Sequence, residues 1–260
     1  MLKAQKFLDC IGIGVTRPLM IEADDKKKYI VKLKNNRLGT KVLVNEYIAN
    51  WFSKRIDLCF PSGEIIELPE SFINNYSKLK RMHIKPGLHF ASLYINNAKY
   101  VHRYNIEFIK NKPKIAGVML FDHLMHNPDR TLNGKNMLIT KEQNGYNFYA
   151  IDNSHLFGSG RWQKERLENL VDKVKVNHHR IYGTLLRHYL QKDDFTLYVE
   201  QFKAITKVQI EEMVSEIPIE WLQKEEEREA IKTFLIKRLQ SADLVANKII
   251  DTIDLSCKNK

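Results

Sequence analysis

At 260 residues, 43% of them hydrophobic and 10% aromatic, the chain has the make-up of a globular core, and its length suits one large domain or two closely packed lobes. Its longest apolar stretches, such as residues 115–125, are broken by charge or stop short of the ~20 residues that a membrane-spanning helix requires. Lys3, Lys6 and Asp9 interrupt residues 1–10 where a signal peptide would have its apolar core, so a cytoplasmic protein is expected.

The 42 Lys and Arg against 31 Asp and Glu give a formal net charge of +11, which favours anionic partners such as nucleotides, nucleic acid or acidic lipid. The basic residues are scattered in small groups, and a dedicated nucleic-acid surface is not the favoured reading. Cys10, Cys59 and Cys257 are far apart, lack metal-ligand spacing and read as free thiols.

In chain order, residues 11–23 and 28–34 are β-rich runs joined by the turn-like Asp24-Asp25-Lys26, as in a hairpin. Over residues 40–55, Leu43, Tyr47, Ile48, Trp51 and Phe52 recur at helical spacing, with Thr40 after Gly39 as the expected N-cap. Pro61-Ser62-Gly63 turns the chain into a strand at 64–68; a polar Asn/Ser/Lys stretch then leads to another at 88–95. This first part reads as antiparallel sheet plus one helix.

The second part opens with a buried helix at 115–126, stopped by Asn127-Pro128 because the residue before proline resists the α region. A loop is expected next, then strands at 136–139 and 147–151 around an Asn144-Gly145 turn. The remainder reads as helical, and residues 225–255 carry an apolar stripe from Ile231 to Ile253. A boundary between the two parts is expected near residues 93–99, giving units of 1–96 and 97–260.

Three segments carry chemistry. Phosphoryl transfer needs a carboxylate to align or deprotonate the attacking hydroxyl, and oxygen ligands to hold magnesium against the phosphates. Asp129 and Asn136, on the connection between a buried helix and a buried strand, suit those tasks; a turn-forming Asn-Pro-Asp followed by an Asn-Gly bend is the plainer reading of the same residues. Asp152, at the end of an apolar strand, is placed to meet Asn136 over a shared cation. Lys32 interrupts a β-rich apolar segment and needs a counter-charge if its neighbours are buried, for which Glu46 on the following helix is the candidate; a snorkelling lysine and a surface glutamate would look the same.

In this order the sequence resembles the HipA-like kinases, which share a fold with protein kinases and phosphoinositide kinases. The resemblance rests on GVTRPLMIEADDKKKYIVKLKNN, LVNEYIANWF, PGLHFAS, FDHLMHNPDR and AIDNSHLFG, and weakens after Gly158. It implies an α+β, two-lobed protein-kinase-like fold, with a β-rich N-lobe around one main helix and a mostly helical C-lobe. It also implies an ATP- and Mg2+-dependent phosphotransferase: Lys32 on the ATP phosphates, Glu46 positioning Lys32, Asp129 as catalytic acid/base, and Asn136 and Asp152 on the metal. By the same analogy Thr16 and Arg17 approach the phosphates, Gly12-Ile13-Gly14 is a fragment of a glycine-rich loop, and His89 lies near the cleft as a binding residue or a satisfied core histidine.

The implied acceptor is a protein Ser/Thr hydroxyl, with a lipid head group or a small molecule as alternatives. Thr131 stands where the family has His, and Asn136 lies two positions later than the family's metal-binding Asn, which makes Asn133 its rival. These departures motivate the alternative of a pseudokinase or nucleotide-binding interaction module with a basic surface.

Overall fold

The computed structural model describes residues 1–12, 16–177 and 179–257, the last six of these by backbone alone. The chain begins with β1 (Leu2–Cys10), β2 (Leu19–Ala23) and β3 (Lys28–Lys32), followed by α1 (Lys41–Ile56), β4 (Gly63–Leu68), α2 (Glu70–Asn74), α3 (Ser77–Arg81) and β5 (Gly87–Leu93). The five strands close into a barrel in the order β1-β2-β3-β5-β4. The hairpin at Asp24-Asp25-Lys26 forms as expected, with Lys26 at a positive φ of 65° and Leu19 opposite Val31.

Several expectations for this region need correction. Residues 2–10 form a full strand, whereas 11, 12 and 16–18 lie outside any strand and 13–15 lie outside the described residues. The sheet is not wholly antiparallel, because β1 runs parallel to β4 and thereby closes the barrel. The polar stretch after β4 folds into α2 and α3, whose Phe72, Ile73 and Leu79 cover the barrel core formed by Leu19, Ile21, Val31, Ile66, Leu68 and Ala91. Three apolar residues among many polar ones suffice for two helical turns that are buried on one side only.

Helix α1 belongs to the larger core and not to the barrel's own. Leu43, Ile48, Ala49 and Phe52 are fully buried, and Phe52 meets Phe121 with ring centroids 5.6 Å apart. Thr40 precedes the helix but does not cap it, since its hydroxyl donates to the Trp221 carbonyl at 2.8 Å. That bond ties the start of the helix to the C-terminal region.

After β5 come β6 (Lys99–Tyr100), α4 (Lys112–Leu124), α5 (Asp129–Leu132), β7 (Met137–Glu142) and β8 (Gly145–Ala150). Strands β6, β7 and β8 form a separate three-stranded sheet in that order. The expected loop after Asn127-Pro128 is instead one turn of helix, α5, followed by a 3-10 turn at Gly134–Asn136. The expected hairpin forms, but its turn falls at Gln143-Asn144, one residue before the expected Asn144-Gly145, because Gly145 already pairs with Glu142 at the start of β8.

The remaining chain is helical: α6 (Lys164–Leu170), α7 (Arg180–His188), α8 (Asp193–Lys203), α9 (Lys207–Ser215), α10 (Glu225–Gln240) and α11 (Ala242–Cys257). The stripe expected to run through one segment is divided at Ser241, whose hydroxyl donates back to the Lys237 carbonyl; the side chain of Ile253 lies outside the described ones. Cys10 and Cys59 are free thiols. Among the described residues no helix is long and apolar enough to cross a membrane.

Candidate active site

Lys32 ends β3, and Glu46 lies one turn into α1. The Lys32 ammonium donates to Glu46 Oε1, and to Asp152 Oδ1 at 2.6 Å. The lysine side chain is only 11% exposed and Asp152 35%. Burial opposes the charge on Lys32, but the Asp152 and Glu46 carboxylates outweigh it and hold its pKa above the usual lysine value. Burial likewise works against the Asp152 carboxylate, and Lys32 and Ser154 more than reverse it, keeping its pKa well below the usual range. The snorkelling alternative for Lys32 is thereby removed, since the lysine head lies between two acids from distant parts of the chain.

Asp152 adopts a left-handed φ of 61° just after β8. The conformation is held by its own Oδ1, which accepts from the Ser154 hydroxyl at 2.5 Å and from the Ser154 N–H at 3.2 Å. A short polar side chain that satisfies itself locally is what makes this backbone geometry accessible to a residue other than glycine. Asn153 turns the other way, its N–H donating to Glu46 Oε1 at 2.9 Å, so that Glu46 receives both Lys32 and the segment after β8.

Asp129 opens α5, where the Asn127 side chain accepts from its N–H at 3.3 Å. Asn136, 4% exposed, donates from Nδ2 to Asp129 Oδ2 at 2.6 Å. Its backbone carbonyl accepts from Ile151 N–H at 2.9 Å, which sets the start of β7 beside the residue preceding Asp152. Asn133, the rival, caps the 134–136 turn through Lys135 N–H and donates to Asn136 Oδ1 at 3.3 Å. Asn136, not Asn133, is the amide bonded to Asp129. The two acids are also linked through His155, whose Nδ1 lies 3.8 Å from Asp129 Oδ2 and 3.1 Å from Ser154 Oγ.

The residues that sequence reasoning missed lie beneath this surface. Arg130, fully buried, donates from Nε to Asp122 Oδ2 at 2.8 Å, from Nη2 to Asn153 Oδ1 at 2.6 Å, and from Nη1 to the Ile151 carbonyl. Asp122, on α4, also accepts from Asn127 at 2.9 Å and from the Tyr182 hydroxyl. One guanidinium thus fixes α4, the turn after Asp129 and the residues flanking Asp152. Its sequence signal was available in Asn-Pro-Asp-Arg: an arginine buried beside this turn needs an acid, and Asp122 lies eight residues earlier, on the preceding helix.

Thr16 and Arg17 are less well placed by contacts. Because Leu19 is opposite Val31, the connection that carries them lies at the Lys32 end of the barrel. Thr16 is buried and Arg17 is exposed with φ of 44°. Of the Gly12-Ile13-Gly14 fragment, Ile13 and Gly14 lie outside the described residues.

His89 needs correction, because both of its ring nitrogens are committed to backbone: Nδ1 accepts from Lys34 N–H and Nε2 donates to the Lys85 carbonyl, each at 3.0 Å. Fully buried, it has no atom left for a ligand and fastens β5 to the chain after β3. Burial holds its pKa down to about 4 from an ordinary 6.5, so the unfolded chain takes up a proton before the folded one does. Stability from this residue is therefore full above about pH 6.5 and is lost as pH falls toward 4. Urea midpoints measured across that window should decline, and His89→Gln should flatten the slope; an unaltered slope would contradict this account.

A divalent ion at Asp152 and Asn136 would be held by hard oxygen donors, as magnesium prefers, with waters and phosphate completing its shell. The donor types fit, and Asp152 keeps about a third of its side chain accessible.

A family model described as HipA-like kinase matches residues 5–246. The chain belongs to the HipA-like kinase family. Among solved structures it is similar to the Helicobacter pylori proinflammatory kinase CtkA, with a TM-score of 0.62 and 14% identity over 95% of this chain and 96% of that one. It is also similar to the Golgi casein kinase, with a TM-score of 0.57 and 10% identity over 98% of this chain and 73% of that one. A form of that enzyme with Mn and ADP bound gives a TM-score of 0.53 and 12% identity over 99% of this chain and 74% of that one. No curated protein sequence matches the chain. The mixed α+β architecture of this HipA-like kinase is a kinase-like fold.

Proposed function

We propose that this HipA-like kinase is an ATP- and Mg2+-dependent phosphotransferase whose acceptor is a serine or threonine hydroxyl. In this reading residues 1–96 form the nucleotide-holding lobe and residues 97–260 the catalytic lobe. The observation that carries it is the position of Lys32, bonded at once to Glu46 on α1 and to Asp152 after β8. A buried lysine between two acids is costly to assemble for structural reasons alone, but it supplies a fixed cation where phosphates would sit.

Each residue then has a physical task. Glu46, together with Asp152, keeps Lys32 charged and fixes the position of its ammonium. Asp129 aligns the acceptor hydroxyl and takes its proton as transfer proceeds. Asn136 and Asp152 present oxygens to the metal, which when bound neutralises charge on the transferring phosphates. Ser154 and Asn153 fix the Asp152 backbone, and Thr16 and Arg17 lie at the barrel end from which a phosphate could be approached.

The test is transfer of γ-labelled phosphate to the protein itself and to added acceptors, in magnesium, by wild type, by Asp152→Ala and after metal removal. Label transfer that disappears in both controls is the expected result. Metal-dependent nucleotide binding without transfer to any acceptor would instead point to a pseudokinase, the reading motivated by Thr131 and the displaced Asn136.

A further inference from the structure

Of the nine large hydrophobic residues exposed among the described ones, the three aromatics all lie within nine consecutive positions: Tyr100 (38% exposed), Tyr104 (73%) and Phe108 (53%). This exposure does not come from a loose loop. Val101, Ile106 and Ile109 anchor the same segment in the main core, and the Asn111 side chain pairs with both the N–H and the carbonyl of Phe148. Buried anchors alternate with outward aromatics, so the aromatics are rigidly presented to solvent. Rigid exposed aromatic rings are what binding surfaces use, because they lose little freedom on contact.

The surface is also cationic. Lys99, Arg103, Lys110 and Lys112 accompany the aromatics against the single acid Glu107, and the Arg103 guanidinium stacks over the Tyr104 ring at 4.6 Å. It runs toward the candidate active site: β6 packs beside the 134–136 turn, where Asn136 meets Asp129, and Tyr100 is opposite Leu138 near the start of β7. Its far end, at Phe108, lies against Gly145 where the β7–β8 hairpin turns. From Leu138 to the hairpin end at Glu142 is four residues, roughly 14 Å at the usual rise of a strand.

We infer that residues 99–112 dock the acceptor, and that the acceptor is an extended acidic polypeptide segment carrying aromatic or apolar side chains. The inference rests on the phosphotransferase reading for the word acceptor, though the surface itself does not depend on it. An acidic segment complements three net positive charges, and its apolar side chains complement the three rings. Glu107 in the middle of the patch, and the open edge that β6 presents in its sheet, favour a polypeptide over a continuous phosphate backbone. The length of the patch sets the docking residues about four extended positions from the hydroxyl that reaches Asp129.

The experiment uses the full chain without nucleotide and measures fluorescence anisotropy of labelled serine peptides. One carries Asp, Glu and Phe four to six positions from the serine, a second has Lys in place of the acids, and a single-stranded oligonucleotide serves as the third probe. Wild type should bind the acidic peptide on the order of tenfold more tightly than the lysine peptide, and Tyr104→Ala/Phe108→Ala should lose about that factor. Arg103→Glu/Lys110→Glu should invert the charge preference. Equal affinity for the two peptides, or affinity unmoved in both double variants, overturns the proposal. So does tighter binding of the oligonucleotide lost in the same variants, which would assign the surface to nucleic acid. The expected peptide pattern with no label transfer by any assay supports the surface while overturning the phosphotransferase reading, so the two failures are separable.

Discussion

Asp129→Asn should lower phosphoryl transfer by a factor of about 10²–10⁴, the range for loss of a positioned general base, while leaving nucleotide affinity within about twofold of wild type. The substitution is conservative in structure. Asn136 Nδ2 donates to Asp129 Oδ2 at 2.6 Å, and an asparagine side-chain oxygen can still accept that bond, without the assistance of the charge. The Asp129 N–H keeps its contact with Asn127, so α5 has no reason to unfold. What is lost is the negative charge and the ability to accept a proton. Single-turnover rates separate this from a binding defect: a reduced chemical step with unchanged nucleotide affinity places Asp129 in the transition state. Transfer at the wild-type rate would remove Asp129 from the mechanism and leave its bond to Asn136 as a turn-stabilising contact, the plain reading of the same residues.

Much of the site was legible in sequence because its groups are rare in their local settings. Lys32 within an apolar strand and Asp152 at the end of another are charges where the pattern calls for none, and each demands a partner. The Lys32–Glu46 pair is the one expected from sequence; the ion pair of Lys32 with Asp152 is not, since Asp152 was expected to meet Asn136 over a shared cation. Asn136 was preferred to Asn133 as a metal ligand for its place before an apolar strand; the structure sets its amide against Asp129, a contact that does not itself choose the ligand.

What remained hidden depends on contacts between distant segments. The parallel closure of β1 on β4 has no local signature, since it joins strands more than fifty residues apart. The role of Thr40 was misread because a threonine before a helix caps it by default, and only tertiary structure reveals the Trp221 carbonyl that takes its hydroxyl. His89 stood among family-like residues, yet its ring is spent on Lys34 and Lys85. Arg130 was in plain view as part of a motif, but its importance lies in where its five donors go.

Arg130→Met should be the most destabilising of the single substitutions considered, at about 3–5 kcal/mol, or on the order of 10 °C in Tm for a chain of this size. The cause is the acid left behind and not the bond count. Asp122 is 1% exposed, and with the guanidinium gone its charge would be buried with only Asn127 and Tyr182 as donors. In the native protein burial opposes the charge on Arg130 and Asp122 outweighs it, raising an already high pKa further; the pair is mutually dependent. The double variant Asp122→Asn/Arg130→Met removes the stranded charge and should recover a large part of the lost stability. It should not recover activity, because the Ile151 carbonyl and the Asn153 side chain would still lack the donor that fixes the backbone on either side of Asp152. Thermal unfolding and phosphoryl transfer measured on the same two variants therefore divide the roles of the residue. If the double variant were as unstable as the single one, charge burial would be the wrong account and the lost backbone contacts would explain the whole effect.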